Sequence, residues 1–310
     1  MTSSARTVLP TDLVALVSYD GRVYANEATT RDRIGTQDSP HPLEAAFEQW
    51  FSFATGRHTW ISVKGPTLRG LISARKRGSK QAWEIDCLIN AEENDSGVLM
   101  SLLDQVTDAA GRSGAMKIFL RLPAGSQALL DAAKCGFSAY RREQVWRMEQ
   151  EPATVRRTQD RLRRRAKPDQ YPLFQLYNTL VPDTLRRFEG MTMTEWTAAQ
   201  ESLGKMAQYA VEEDGRIAGL VRLAGDGDLG RFDLLGTPDT VDDLIEAALA
   251  KLANRRVLSA IVPEYQEHVA RNLEARGFAP AEEFSVLARR TVRPVMEAQK
   301  VPAMAQTTFG

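Results

Sequence analysis

The period of the hydrophobic pattern changes several times along the first half of the chain, and each change marks a predicted element. From His58 onward, three runs, HTWISVKG, LRGLISARKRG and AWEIDCLI, have the pattern of β-strands and are separated by glycine and lysine turns. The next segment, SGVLMSLLDQVTDAAGRSG, has helical spacing, and it is followed by the strand KIFLRLP, the helix SQALLDAAKCG and a last strand that begins at Phe137. This half therefore predicts a meander of strands followed by helical crossovers.

Two further helices are predicted before the meander. Thr11 or Asp12 can cap a short helix over LVALVSY, and the segment HPLEAAFEQWFSFA, from His41 to Ala54, has the apolar recurrence of a second helix.

The second half repeats this order of elements. It opens with LRRRAKPDQYPLFQLY, which predicts a short strand, a turn at Pro168-Asp169 and a helix, and the helical stretch MTEWTAAQESLG follows. The remaining predictions are the strands MAQYAVEEDG, RIAGLVRLAG and GRFDLLG, the helix TVDDLIEAALAKLANRR, the strand VLSAIVP, the helix EHVARNLEARG and a strand from Phe278.

Two Gly-Phe pairs, at Gly136 and Gly277, align the halves. Each follows a helix, where glycine readily adopts the positive φ that ends a helix, and each is preceded by a strand that ends in proline. The matching order predicts a duplication, with one domain over residues 1–152, a second over 153–295 and a tail over 296–310. The tail lacks periodicity and could form an arm on a neighbouring subunit.

Composition narrows the classes of partner. Forty lysines and arginines balance forty aspartates and glutamates among 310 residues, so no global charge favours nucleic acid or an anionic membrane, and neither is expected as a partner. The basic run from Arg156 to Lys167 is interpreted as a linker that enters an edge strand rather than as a nucleic-acid patch, because aromatic stacking partners are missing.

Cysteine and histidine usage adds little chemistry. Cys87 and Cys135 lie in apolar contexts and are predicted to be buried thiols, and the three histidines are too scattered to predict a metal site. The chain begins without a signal-peptide pattern and has no apolar run of about 18 residues, so a cytoplasmic location is expected.

With this element order, each half resembles a GNAT acetyltransferase domain, and the whole chain up to about Pro294 is similar to the tandem GNAT arrangement of mycothiol synthases. The resemblance rests on the order of elements, the two helix-Gly-Phe-strand closures and the entry RRAKPDQYPLFQLY. It implies an α/β fold with a mixed sheet in two GNAT-like halves. None of these features is a catalytic motif.

The resemblance also implies where acetyl-CoA would bind, namely the loop between the fourth strand and the next helix, usually Arg/Gln-x-x-Gly-x-Gly/Ala. The matching segments are AEENDSGVLM and GTPDTVDDL, and neither fits. The first has one glycine among Glu92, Glu93 and Asp95, and the second has Pro238 among aspartates. One carboxylate about 5 Å from a phosphate charge costs roughly 3 kcal/mol, whereas the same acids stabilise a helix start. Should the first site survive, the cofactor-binding candidates are Leu88, Asn90, Ser96 and Gly97.

Two carboxylates remain as catalytic candidates. Many GNAT members have a tyrosine four residues before the Gly-Phe glycine as general acid, but Ala132 and Leu273 stand there, and the nearby Tyr140 and Tyr265 are not at the motif position. On AWEIDCLI, the period of two predicts that Glu84 and Asp86 share the face opposite Trp83, Ile85 and Cys87. They could draw a proton from an amine, or they could simply pair with arginines such as Arg75 or Arg121. The second half retains Asp233, two residues after Arg231.

The aromatic residues leave two interpretations open. Trp50, Phe51, Phe53 and Trp60 could line an acceptor pocket, but aromatics at helical spacing more often belong to the core, and the same holds for Trp196.

The sequence thus favours a tandem GNAT-like protein with both acetyl-CoA loops degenerate, acting as a non-catalytic binding or scaffold module without a cofactor. The alternative is an active acetyl-CoA-dependent N-acetyltransferase that uses the first half on an unknown amine. A third hypothesis is that the ancestral cleft now holds another small ligand. A homo-oligomer or a protein partner is compatible with each hypothesis.

Overall fold

A computed structural model describes residues 5–7, 26–36, 57–64, 67–91, 96–151 and 162–291. Within these ranges the strands are Arg6–Thr7 (β1), His58–Lys64 (β2), Thr67–Lys76 (β3), Ala82–Asn90 (β4), Lys117–Pro123 (β5), Ser138–Glu149 (β6), Leu162–Arg164 (β7), Met206–Glu213 (β8), Arg216–Asp226 (β9), Leu229–Gly236 (β10), Val257–Pro263 (β11) and Ala279–Arg290 (β12). The helices are Ser96–Arg112 (α1), Ala128–Lys134 (α2), Gln170–Leu180 (α3), Asp183–Glu189 (α4), Met193–Ala199 (α5), Val241–Lys251 (α6) and Glu267–Glu274 (α7).

These elements match the predicted ones closely from His58 onward, except for α4, Asp183–Glu189, which the sequence pattern did not predict. The glycines after α2 and α7 adopt the expected left-handed conformation, with φ of 78° at Gly136 and 89° at Gly277. In the second half, the turn at Pro168-Asp169 is a 3-10 helix, Lys167–Asp169. The two predicted helices before His58, the carboxylate loop from Glu92 to Asp95 and the C-terminal tail lie outside the described residues.

The sheet has twelve strands in the order β1-β2-β3-β4-β5-β12-β6-β11-β10-β9-β8-β7. The final strand of the second half, β12, therefore lies between β5 and β6 of the first half, and it is antiparallel to both. Likewise β6 is paired with β11, where Trp146 stands opposite Ala260. The last strands of the two halves are exchanged, so one continuous sheet runs through the molecule.

Each half has a place where two parallel strands separate. β4 and β5 pair only from Ala82 to Glu84, and β10 and β11 pair only from Leu229 to Phe232. Beyond these residues the two parallel strands are no longer paired with each other, which leaves a wedge-shaped gap in the sheet of each half. We name the wedge between β4 and β5 the first cleft, and the wedge between β10 and β11 the second cleft.

Helices cover both faces of the sheet: α1 and α6 lie on one face, and α3 to α5 lie on the other. α1 packs on the first half through residues such as Leu102, and α6 packs on the second half through residues such as Leu244. Helices α3 to α5 pack across the middle of the sheet, in a cluster that contains Phe119, Trp196 and Val286. Elements of the second half thereby cover strands of the first, which brings both clefts close to the same helices.

The predicted alternation on β4 is wrong at its centre. Ser73 stands opposite Cys87, and the next residue of β3, Ala74, stands opposite Ile85, so Asp86 is the extra residue of a β-bulge. Trp83 and Ile85 pack in the core under α1, whereas Cys87 belongs to the small cluster on the other face. The bulge changes the phase of the strand, because one extra residue turns all following side chains to the opposite face.

Both cysteines are free and buried, as predicted. Among the described residues, none of the helices is long and apolar enough to cross a membrane.

Candidate functional site

The first cleft is filled by the chain itself, through residues 26–30. The backbone amide of Glu27 donates to the carbonyl of Leu88 on β4 at 2.9 Å, and the amide of Thr29 donates to the carbonyl of Arg121 on β5 at 3.0 Å. An extended segment thus bridges the two strands where their own pairing stops. We call residues 26–30 the plug.

Asn26 fixes the plug to β4 with both ends of its side-chain amide. Its Oδ1 accepts from the Leu88 amide at 2.8 Å and from the Ala28 amide at 3.0 Å, and its Nδ2 donates to the carbonyl of Asp86 at 3.2 Å. Leu88, one of the predicted cofactor-binding residues, therefore uses both its backbone amide and its carbonyl within the protein.

The other predicted cofactor-binding residues lie beside the plug or beyond it. Asn90 is opposite Gly70 of β3, Ser96 is the first residue of α1, and Gly97 is exposed on its first turn. Because the loop between Asn90 and Ser96 is largely outside the described residues, their cofactor role stays a prediction.

The two catalytic candidates are buried in ion pairs. Glu84 is 5% exposed and accepts from Arg75 at 2.6 Å and from Arg77 at 3.3 Å. Asp86 is 1% exposed and lies 2.6 Å from both the Arg57 guanidinium and the Ser73 hydroxyl. Glu84 thus has the Arg75 partner that the alternative interpretation named, while Arg121 pairs elsewhere. Nothing in this arrangement tests a catalytic role.

The loop of the second half is packed against the sheet. The hydroxyl of the fully buried Thr240 lies 3.1 Å from the carbonyl of Ala218 on β9, and the amide of Thr237 donates to the same carbonyl at 3.1 Å. A Cβ on Gly236 would come within 2.6 Å of Leu244 Cδ1 and 2.8 Å of Thr240 Oγ1. The glycine lets α6 approach the sheet, so a phosphate is not needed to explain it.

One aspartate at the start of α6, Asp242, has a structural partner as well. Asp242, in the first turn of α6, pairs with Arg276 at 2.9 Å, and Glu246 one turn later pairs with the same guanidinium at 3.0 Å. These acids join α6 to the end of α7.

The second cleft contains a cavity of about 110 Å³. Strands β9 to β11 form its floor, helices α3 to α5 cover it, and the first half contributes Arg31, Arg77, Tyr140 and Arg141. Arg31 directly follows the plug in sequence. The plug of the first cleft and a wall of the second therefore belong to one short segment.

A buried group of ion pairs, which we call the central ion network, surrounds this cavity. At its centre, Glu143 is 0% exposed and lies 2.9 Å from Arg121, 2.7 Å from Arg141 and in contact with Arg31. The network has six guanidiniums and six carboxylates: Arg31, Arg75, Arg77, Arg121, Arg141, Arg222, Asp32, Glu84, Glu143, Glu189, Glu201 and Asp233.

The network keeps Glu143, Glu201 and Asp233 ionised. Burial alone would raise the pKa of Glu143, but Arg121, Arg141 and Arg31 outweigh burial and lower this pKa to about 2. For the same reason, the pKa of Glu201 falls well below its ordinary value despite burial, with Arg121 as the largest opposing influence. Asp233 also has a lowered pKa, because Arg222 and Arg31 outweigh its burial.

Three tyrosines line the cavity, namely Tyr140, Tyr177 and Tyr265. Tyr177 donates to Glu189 Oε2 at 3.1 Å. Burial raises the pKa of all three, so their hydroxyls carry their protons at neutral pH. Trp196 packs beside Tyr177, with ring centroids 5.6 Å apart, and lines the same cavity. Trp60, by contrast, belongs to the core under α1.

The sequence alone missed most of this site. Arg31, Glu143 and Glu201 come from distant segments, and each is an ordinary charged residue in its local context. One signal was available: Arg121 lies within the apolar strand KIFLRLP, where a charge predicts a buried partner. In sequence, Tyr140 and Tyr265 are distinguished only by lying near the Gly-Phe pairs. The pairing of β6 with β11 brings Tyr140 to the cavity, and Tyr265 lies just after β11.

No protein-family model matches the chain, and no curated protein sequence matches it. Solved protein structures, by contrast, do match the chain. A GCN5-related N-acetyltransferase from Sphaerobacter thermophilus is 13% identical, with a TM-score of 0.54, and the match covers 94% of this chain and 97% of that one. A putative acetyltransferase from Pyrococcus horikoshii is 12% identical, with a TM-score of 0.52, and the match covers 94% and 90%. The predicted GNAT fold is confirmed, and the finer resemblance to mycothiol synthases stays a prediction.

Proposed function

We propose that this GNAT-fold chain is a binding module that does not use acetyl-CoA in its first cleft and is not an efficient acetyltransferase. The observation that carries the proposal is the plug, which occupies the gap between β4 and β5 and bonds to both strands. The mismatch of both loop sequences with the GNAT cofactor pattern supports it independently.

The energetic argument concerns the bonds that a cofactor would have to replace. An extended cofactor arm along β4 would compete with the plug for the amide and the carbonyl of Leu88 and would also separate Thr29 from Arg121. Each such bond contributes about 1 kcal/mol net, so displacing the whole plug would weaken binding by about a thousandfold if the bonds were not replaced.

Catalysis at the same place meets a second obstacle. Glu84 and Asp86 would act as bases only after leaving the guanidiniums that hold them, because Arg75 and Arg57 already contact their oxygens at 2.6 Å. We therefore do not propose an active N-acetyltransferase. Acetyl transfer is instead a result that the following experiment would detect.

Isothermal titration of the full chain with acetyl-CoA tests the proposal. We expect no binding heat at micromolar cofactor and no acetylation of a panel of small amines above the uncatalysed rate. Micromolar binding at one site per chain, or turnover that Asp86→Asn abolishes, would contradict it.

A variant of Asn26 tests the plug itself. Asn26→Ala removes the side chain that bonds Leu88 and Asp86, so hydrogen exchange of the Leu88 amide should accelerate by about tenfold or more. The matched control is Asn254→Ala at an exposed turn after α6, which should leave exchange in β4 unchanged. Unchanged exchange in Asn26→Ala would show that the plug does not protect the first cleft.

We also propose that the protein is located in the cytoplasm. Cys87 and Cys135 are free thiols, which supports a reducing compartment such as the cytoplasm.

A further inference from the structure

Besides Arg31 Nε, which lies 3.6 Å from Glu201 Oε2 in an ion pair, three buried polar atoms at the cavity of the second cleft lack a hydrogen-bond partner among the described residues. They are Tyr140 Oη, Arg141 Nε and Gln266 Oε1, and their residues are 9%, 9% and 4% exposed. All three residues line the cavity. Buried polar atoms are nearly always hydrogen-bonded, so three unpartnered atoms around one space indicate a missing polar occupant.

The orientation of Gln266 is determined by its other end. Its Nε2 donates to the carbonyl of Leu234 at 3.2 Å, and turning the amide over would set two acceptor oxygens against each other. Gln266 Oε1 therefore requires a donor from the occupant. Arg141 Nε can only donate, so it requires an acceptor, and the Tyr140 hydroxyl can serve either role. The occupant must present both a donor and an acceptor.

Charge indicates that the occupant is neutral. The central ion network contains equal numbers of guanidiniums and carboxylates, and every carboxylate in it already contacts at least one guanidinium. Each charged side chain that lines the cavity already contacts an opposite charge, and the buried Arg231, which interacts electrostatically with Asp32, does not line it. A net charge placed in the cavity would therefore be desolvated without a free counter-charge. A neutral molecule avoids that cost.

The size and the apolar walls restrict the occupant further. A cavity of about 150 Å³ can hold benzene, so about 110 Å³ suits a molecule of roughly four or five heavy atoms. Val181, Leu220 and Ile261 add apolar surface that a methyl or methylene group can contact.

We propose that the second cleft binds a small uncharged molecule with a carboxamide-type group, whose carbonyl accepts from Arg141 Nε and whose N–H donates to Gln266 Oε1. This inference deepens the proposed binding role and rests on it, but it does not depend on the plug in the first cleft.

Three isosteric probes separate the charge classes. Acetamide, acetate and acetamidinium have the same planar shape with charges of zero, minus one and plus one, and each can be observed by saturation-transfer NMR with the full chain. With four heavy atoms, acetamide should bind no more tightly than about 40 μM. We expect a specific signal from acetamide and about tenfold weaker signals from the two ions. An equal or stronger signal from acetate or acetamidinium, or none from acetamide, would overturn the proposal.

Two variants locate the binding. Tyr140→Phe removes only a hydroxyl that has no hydrogen-bond partner among the described residues, so it should fold with an unchanged or higher Tm. Gln266→Met removes the acceptor in a side chain of similar shape. Each should weaken acetamide binding about fivefold. The control is Tyr209→Phe on β8, outside the cavity, which should have no effect. Equal binding in both cavity variants would mean that the cavity holds only water.

Acetyl-CoA distinguishes this proposal from the preceding one. Calorimetric binding of acetyl-CoA that leaves the acetamide signal intact would contradict the plugged first cleft and preserve the amide site. Displacement of acetamide by acetyl-CoA would show that the second cleft is an acyl-CoA site, and would overturn the amide proposal.

Discussion

Glu143 shows how single residues hold the two halves together. It lies on β6 of the first half, and Arg31, Arg121 and Arg141 all direct guanidinium nitrogens at its carboxylate. Glu201, from the second half, accepts from Arg121 at 2.6 Å. A change at one carboxylate therefore leaves several buried cations without their counter-charge.

We expect Glu143→Gln to lower the free energy of unfolding by about 3–5 kcal/mol, because removing one partner of a buried ion pair leaves uncompensated charge. Urea unfolding followed by circular dichroism measures this loss. Glu282→Gln is a suitable control, since Glu282 is 45% exposed and meets Arg147 at 3.4 Å; its effect should stay below about 0.5 kcal/mol. Equal losses in the two variants would argue against the central ion network as a stabilising unit.

Acid should destabilise the protein through the same carboxylates. The pKa of Glu143 falls from 4.5 to about 2 on folding, so its contribution is fully present above the unfolded value and is lost as the pH falls through the folded one. Glu201 shifts in the same direction. Urea midpoints measured from pH 6 down to pH 2 should decline mainly below about pH 5. A flat profile over that range would contradict the depressed pKa values.

At the scale of elements, the hydrophobic pattern was sufficient for most helices and strands. The helices bury one face, and strands that are buried on both faces, such as β5, appear as short apolar runs bounded by turn residues. The pattern failed on β4, where the bulge at Asp86 changes which face Cys87 joins. A bulge is determined by pairing with β3, which the sequence of β4 does not contain. The same limit applies to the plug, since residues 26–30 have no regular pattern and are defined by bonds to β4 and β5.

The loop between β10 and α6 gives an element-scale prediction. Gly236→Ala would place a Cβ 2.6 Å from Leu244, so we expect a loss of about 1–3 kcal/mol in unfolding free energy from overpacking. Gly125→Ala is the matched control, because a Cβ there meets nothing within 4 Å. Thermal unfolding of both variants measures the difference. Equal stability would mean that the helix can move away from the sheet at little cost.

At the scale of the whole molecule, the exchange of β6 and β12 makes each half incomplete. Without β12, the edge of β5 loses its antiparallel partner from Lys117 to Pro123, and β11 likewise loses β6. The predicted boundary at residue 152 therefore separates two repeats of the sequence. The division of the chain into two structural domains at that boundary stays a prediction.

We expect two fragments divided within residues 152–161 to be poorly folded when expressed alone and to form a one-to-one complex when co-expressed. Unpaired strand edges promote aggregation, and in the exchanged sheet the strand missing from each fragment belongs to the other. Circular dichroism and size-exclusion chromatography measure both outcomes. A fragment that is monomeric and cooperatively folded by itself would contradict the interdependence of the halves.

The sequence by itself determined the elements from His58 onward other than α4, their repeated order and the two buried thiols, because these depend on local period, turn residues and apolar context. The GNAT fold followed from the resemblance of that element order to a known family. Only the tertiary structure decided that β6 and β12 exchange, that the plug fills one cleft, and that a cavity lined by Tyr140 and Gln266 remains in the other. The physical reason is that ion pairing and strand pairing join residues such as Arg31 and Asp233, whose separation along the chain hides their contact. A balanced network also leaves no trace in the net charge, so composition could not indicate it.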